Sequence, residues 1–395
     1  MGIRALELGR ALAEEGFDAR LLVPNDPEEA REVAGSLAVA RARSGELGAA
    51  ARGADAAVVS GHAANSWFHQ APDVPVAADL YDPFPIENLH YGESAGSGTA
   101  RHDRETLALT LARGDFFLCA SAEQRLFYAG ALFQASRIGP ENFPGDPSLS
   151  RLLAVVPFGV PAEPARGNRL AGRAAAGVPP DGPLLLFGGI YDWYDPELLL
   201  AGWPALIDRQ PAAKLLFFES PNPDTTPQAV FARARERART LDPKGLSIFF
   251  SPWLPYGARA DLYAAVDLAV SICSQGLETD LAYRTRLLDA AWGGVPSVSI
   301  GGGALARELT ESGALLAVEP STSALVAAVA GLLEDRERIA RSALAARLFA
   351  SRRTWRQMIA PLSAWCREPR RDPGRRPLPR RAGTFWRRWG SEPKW

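Results

Sequence analysis

Apolar positions along the chain alternate between two spacings. Ile3, Leu6, Leu8, Ala11 and Leu12 recur near the helical period across residues 3–15, and Gly16 follows as a stop. Short apolar runs of strand length then appear at 19–23, 56–60, 74–80, 116–120 and 152–157, with helix-compatible stretches such as 104–112 and 122–132 among them. From Pro183 the pattern restarts, and runs at 184–187, 214–218, 246–250, 268–272, 295–300 and 314–318 read as strands separated by helical segments. Such alternation predicts parallel, doubly wound sheets of the α/β class, hence two Rossmann-like domains facing a cleft. The expected division is an N-terminal domain over 1–160, a second over 161–366 with a closing C-terminal helix, and a tail over 367–395. Residues 159–183, rich in Gly, Pro and Ala, form the join.

The start breaks this pattern. A doubly wound domain begins with a strand that feeds its first helix, whereas here residue 3 already reads as helix. The first strand of the N-terminal domain is therefore expected to be missing, either because the natural start lies upstream or because the domain is a shortened variant.

Composition narrows the class. The 395 residues are 47% hydrophobic and 23% charged, ordinary globular usage. No apolar run reaches the roughly 18 residues of a membrane-spanning helix, and no secretory signal pattern opens the chain, which predicts a cytoplasmic protein. Cys119, Cys273 and Cys366 lie far apart, and His62, His69, His90 and His102 show no metal-ligand spacing, so no metal is expected. Residues 367–395 hold ten basic and three acidic side chains, leaving 34 basic and 42 acidic in the rest. An acidic body argues against a nucleic-acid partner.

Three segments carry candidate chemistry. Gly188-Gly189-Ile190-Tyr191-Asp192-Trp193 follows the first strand of the second half, where paired glycines let the backbone approach a phosphate or simply form a turn. Glu278 to Asp289 leads into a helix, and Arg284 and Arg286 add planar donors suited to a diphosphate. The same residues also fit a solvated ion-pair cluster of Glu278, Asp280, Arg284 and Arg286 at the helix start. Asp289 shares a helix face with Thr285 and could accept from ribose hydroxyls or pair with an arginine. Asp79-Leu80-Tyr81-Asp82-Pro83-Phe84 closes a strand with carboxylates, or is a proline-terminated strand with Asp as turn former. Neither G-x-G-x-x-G, nor a P-loop, nor D-x-D occurs, which disfavours a dehydrogenase, a P-loop NTPase and a metal-dependent single-domain sugar transferase.

In combination, Gly188 to Pro204, Phe249-Phe250 with Trp253-Leu254-Pro255-Tyr256, Glu278 to Pro296, Asp79 to Phe84 and Val156 to Pro161 resemble the retaining family-4 glycosyltransferases of the GT-B fold. The likeness is nearest to a bacterial branch of surface-polysaccharide assembly and extends over nearly all of residues 1 to 365. It implies that Asp289 grips the nucleotide ribose, that Trp253 through Tyr256 contact the base, and that Asp82 faces the donor sugar. Leu281 stands where the family has the first glutamate of its E-x7-E pair, with Glu278 the nearest acid, and Tyr81 stands at a family histidine. The family's arginine and lysine are not found after Gly188-Gly189, so Arg284 and Arg286 replace them as candidates. The implied reaction is retaining, metal-independent transfer from a nucleotide sugar to a glycan or lipid-linked acceptor. The proline- and arginine-rich tail is expected to be disordered and outside the fold, either as a solvated end or, through its arginines and tryptophans, in peripheral contact with the inner face of a membrane. A catalytically silent scaffold or partner subunit, or a nucleotide-sugar epimerase, is the alternative.

Overall fold

The computed structural model describes residues 2–71, 73–220 and 226–376. The chain forms two compact units, the first made of residues up to Phe158 and from Trp355 onward, the second of Gly159–Thr354.

In the first unit, β1 (Arg20–Val23) pairs in parallel with β2 (Ala38–Arg41) as a separate two-stranded sheet. Strands β3 (Ala57–Ser60), β4 (Val76–Asp79), β5 (Phe116–Cys119) and β6 (Leu153–Val155) form a parallel sheet in that order. β4 and β5 are buried along their whole length, as parallel strands covered on both faces must be. The first helix, Gly2–Glu14, lays Leu8, Ala11 and Leu12 against Ala77, Phe116 and Leu118. No ladder joins β1 to β3, and both strands are only half-buried.

The second unit holds β7 (Leu184–Gly189), β8 (Lys214–Phe218), β9 (Ile248–Ser251), β10 (Leu268–Ile272), β11 (Ser297–Ile300) and β12 (Leu315–Ala317). Its single parallel sheet runs β12-β11-β10-β7-β8-β9, a complete doubly wound order. The first unit repeats it as β6-β5-β4-β3, a break, then β1-β2. The break falls where the counterpart of β7 would lie, so the missing strand read from the sequence corresponds to a split sheet.

Two boundaries differ from the sequence parse. The helices from Trp355 onward pack in the first unit, not the second, because Trp355, Ile359, Leu362 and Trp365 are apolar side chains in the core cluster of Leu8 and Phe116. Trp365 stacks on Phe116 with centroids 5.6 Å apart. The tail's opening residues are also part of the fold. Asp115, 2% exposed at the start of β5, accepts from the Asp372 amide at 3.1 Å and from Arg375 at 3.0 Å. Arg137, itself buried, donates to Asp372 at 2.8 Å. These buried charges require partners, and residues 371–376 supply them. The remainder of the expected tail, 377–395, lies outside the described residues.

Candidate functional site

In the second unit the winding reverses between β7 and β10, which pair directly, while β8 and β11 lie on opposite sides of them. In open α/β sheets the carboxyl ends of such strands form the ligand crevice. The chain beyond β7 is sewn to the chain beyond β10 there: the Asp195 amide donates to Ile272 O at 3.0 Å and the Ser274 amide to Trp193 O at 3.1 Å. Asp195 then caps helix Pro196–Arg209 by accepting from the Leu198 amide at 3.2 Å.

Gly188 and Gly189 end β7 in a bulge, where the register against β8 slips between Leu186 and Gly188. Gly188 has φ +85°, a left-handed conformation that favours glycine. Arg286 reaches back from helix Thr285–Trp292 and donates to Phe187 O at 3.0 Å and Gly189 O at 2.9 Å. Its guanidinium carbon lies 3.8 Å from the centroid of the buried Tyr194 ring, and among the described residues no carboxylate pairs with it. Trp253, 45% exposed just past β9, has a ring atom 3.3 Å from where a Cβ on Gly189 would be, so a side chain there would push the indole aside by a few tenths of an ångström. Tyr191 and Trp193 stack alongside at 5.0 Å. A guanidinium without a counter-ion, a glycine bulge and an exposed indole therefore meet at one strand end. That set suits a diphosphate joined to a planar base.

The other candidates are placed differently. Glu278, in helix Leu277–Leu281, and Arg284, at the N-cap of the next helix, are both at least 95% buried and form an ion pair at 2.5 Å. The paired reading of these two is thus the observed one, although the pair is buried rather than solvated, and Asp280 is exposed outside it. Burial opposes the Arg284 charge, but Tyr194, Cys273 and Glu278 together hold its pKa above the ordinary arginine value. Asp289 is half-buried and accepts from Arg259 at 2.9 Å. Arg259 in turn lies 3.7 Å from the Tyr256 ring centroid and 5.0 Å from that of Trp292. Thr285, half-buried, opens the same helix one turn before Asp289. The structure therefore separates the two arginines: Arg284 is spent on Glu278, while Arg286 lines the glycine bulge.

Asp82 belongs to the first unit, half-buried in the turn after β4. Arg4 organises that turn. It donates to Asp79 at 2.6 and 3.0 Å, to Val156 O at 2.8 Å and to Pro157 O at 3.1 Å, and lies 4.8 Å from the Tyr81 ring. Beside it, His62 stacks on His102 at 4.8 Å and meets Phe84 at 5.3 Å, with buried Asp103 at 3.6 Å. Burial and His102 lower the pKa of His62, with Asp103 opposing. Sequence reading missed Arg4, Tyr194 and Arg259. Only the last had a local signal, since Tyr256 and Arg259 are three residues apart. Among the described residues no three His, Cys, Asp or Glu side chains converge in a metal-binding arrangement, and no helix is long and apolar enough to cross a membrane.

Two Rossmann-like units, one with a complete strand order and one with a split version of it, define the GT-B fold. No protein-family model matches the chain, and no curated protein matches it in sequence. Among solved structures it is similar to Anabaena HepE in complex with UDP and glucose, at TM-score 0.65 and 16% identity over 91% of this chain and 95% of that one. It is also similar to sucrose-phosphate synthase from Thermosynechococcus elongatus, at TM-score 0.64 and 15% identity over 92% and 91% of the two chains. A glycosyltransferase from Rickettsia africae aligns at TM-score 0.62 and 12% identity over 92% and 93%.

Proposed function

We propose that this protein transfers a sugar from a nucleotide-sugar donor to an acceptor hydroxyl, holding the donor at the carboxyl ends of β7 and β10. The observation that carries the reading is Arg286, a guanidinium with no carboxylate partner among the described residues, fixed across the glycine bulge beside the exposed Trp253. A GT-B neighbour captured with UDP-glucose lends support, because it shows what that fold holds in another protein.

In the proposed reaction the bond from the anomeric carbon to the leaving phosphate oxygen breaks as the acceptor oxygen bonds to the same face. The acceptor proton passes to the departing diphosphate, so configuration is retained. Arg286 offsets the charge that develops on the departing diphosphate. No divalent metal is required for this charge balance. The acceptor is a glycan or lipid-linked hydroxyl of envelope polysaccharide assembly, reached from the cytoplasmic side.

The test is calorimetry with UDP, ADP and GDP, followed by transfer or hydrolysis assays with the matching sugar nucleotides, with and without EDTA. Tight diphosphate binding and EDTA-insensitive turnover are expected. Absence of binding to all three diphosphates would leave the silent-scaffold reading, and a strict magnesium requirement would overturn the metal-free mechanism.

A further inference from the structure

At the amino edge of β4 and β5, opposite the edge that carries Asp82, the strap of residues 371–376 lies over a group of buried arginines. Arg113 ends helix Gly92–Arg113 at 8% exposure, Arg137 is 1% exposed and the Arg375 side chain 6%. Asp115 pairs with Arg375 at 3.0 Å and Asp372 with Arg137 at 2.8 Å. Arg113 donates only to Arg376 O, at 2.8 Å, and among the described residues no carboxylate pairs with it. Three guanidiniums therefore face two carboxylates. Arg371 and Asp73 cancel each other at the exposed rim, and an exposed carboxylate such as Glu141 is screened by water. The helix's C-terminal carbonyls, one of which accepts from Arg137, offset about half a charge. Part of a buried positive charge remains unmatched.

Unmade hydrogen bonds coincide with that excess. Arg375 spends Nη1 on Asp115, whereas its Nε and Nη2 are buried and have no partner among the described residues. The Nε atoms of Arg113 and Arg137 are buried and unpartnered in the same way. A buried donor forfeits its hydration, so several together call for an acceptor. Nε and Nη2 form the side-on fork of a guanidinium, and Arg4 shows its use in this unit by taking the two oxygens of Asp79 at 2.6 and 3.0 Å. The Arg375 fork is thus matched to an anion that presents two oxygens side by side. Gly374 keeps a side chain out of the neighbouring space, since a Cβ there would come 2.9 Å from Asp372 Oδ1 and 3.5 Å from Arg137 Nε. Burial lowers the pKa of Arg375; Asp115 opposes this, while Arg113, Arg371 and Arg137 lower it further.

We propose that the strap closes over a free phosphate-class oxyanion, held by the side-on fork of Arg375, with Arg113 and Arg137 supplying the surrounding charge. Water would satisfy the nitrogens but not the charge. A lipid headgroup is disfavoured because the fork nitrogens are buried, and a phosphodiester would have to carry its chains out through the protein. An anion that binds only the closed strap ties residues 371–376 to helix Gly92–Arg113 and to β5, and so stabilises the first unit. The site lies in the other unit from Arg286 and does not rest on the proposed reaction.

The test is equilibrium dialysis of the full-length Arg286→Ala protein against radiolabelled phosphate, the substitution removing phosphate from the proposed donor position. About one phosphate per chain should be retained, and the melting temperature should rise saturably by about 3 °C or more. Chloride at equal ionic strength should give neither effect. In the same background Arg375→Lys keeps a charge for Asp115 but lacks the fork, and should weaken retention about tenfold or more. Should that variant fold poorly, Arg375→Met/Asp115→Asn removes both charges together and should abolish retention. The chain ending after Arg376 should bind as the full chain does, and the chain ending at Cys366 should not. No retention by the Arg286→Ala protein would overturn the proposal, as would equal retention with and without the fork. A melting temperature that rises linearly with phosphate, and equally in Arg375→Lys, would reduce the effect to general exclusion of the salt and overturn it too. Calorimetry with UDP reads the other unit, so the two proposals fail separately.

Discussion

Arg286 and Gly189 lie 97 residues apart in the chain, yet the guanidinium Nη2 donates to the glycine carbonyl at 2.9 Å while Nη1 holds Phe187 O. The arginine thereby fixes the bulge around Gly188 and presents its charge at the end of β7. Arg286→Ala should weaken UDP binding about tenfold or more, the scale of a charge-assisted hydrogen bond to phosphate. Arg286→Lys should recover only part, because a point charge cannot bridge two carbonyls and face a ligand as a planar fork does. Calorimetry decides it: equal affinity for the alanine variant and the parent would remove Arg286 from the site.

Arg284 should behave in the opposite manner. It and Glu278 are both buried, so Arg284→Ala strands a carboxylate in the interior and should cost about 3–5 kcal/mol of stability in urea unfolding. Glu278→Leu/Arg284→Met removes both charges and should regain most of that loss. If the restored double variant still binds UDP, Arg284 is a structural charge. If it is stable and has lost binding, the pair serves the ligand as well.

The strand positions were largely legible in the sequence because apolar runs such as Phe116–Cys119 and Leu268–Ile272 are buried on both faces. β2 was not, since Ala38–Arg41 is a four-residue edge strand, half exposed, in an alanine-rich stretch that carries no clear period. Helix Gly92–Arg113 starts well before the readable stretch at 104–112, because its first residues are glycine- and serine-rich and lack an apolar stripe. Glu278, Arg284 and Arg286 could be named as one cluster from spacing alone. Which arginine pairs with the carboxylate depends on where β7 passes, and no local pattern encodes that. The union of Asp115 with Arg375 is hidden for the same reason, being set by tertiary packing across 260 residues.

That union predicts where the chain tolerates shortening. Asp115 carries a pKa raised by burial, which Arg375 and the amides of Val76 and Asp372 oppose. Ending the chain at Cys366 removes Arg375 and Asp372, leaving the Asp115 carboxylate and the Arg137 guanidinium buried without these partners. Its melting temperature should fall by several degrees. Ending it after Arg376 keeps every one of these bonds and should leave the melting temperature unchanged. Equal melting by the two shortened chains would mean that the strap contributes nothing.

Acidification should loosen the first unit through helix Gly61–Gln70. Burial and His102 lower the pKa of His62, and burial and Arg113 lower that of His69, both from the ordinary 6.5. The folded state therefore binds fewer protons than the unfolded chain just below that value. Stability is full above pH 6.5 and declines as the pH falls from 6.5 towards the folded pKa values. His62→Asn/His69→Gln should flatten this slope in urea titrations between pH 7.5 and about 5. A slope as steep as the parent's would place the proton uptake elsewhere.

The split sheet makes a prediction at single amides. In a parallel strand, successive residues turn their backbone N–H groups to alternate neighbours. The Ala57 amide donates to Pro75 O on the β4 side at 2.9 Å, so Val59 shares that side while Val58 and Ser60 point toward the break between β3 and β1. Val58 is also 36% exposed, unlike any residue of β4. In β7, by contrast, neighbours lie on both sides, and Leu185 and Leu186 are paired with both β8 and β10. Hydrogen exchange followed by NMR should therefore find Val58 exchanging at least about a hundredfold faster than Ala57 and Val59, with no such alternation along β7. Uniform protection along β3 would show that its outer edge is paired after all, and the break would then not be an open strand position in solution.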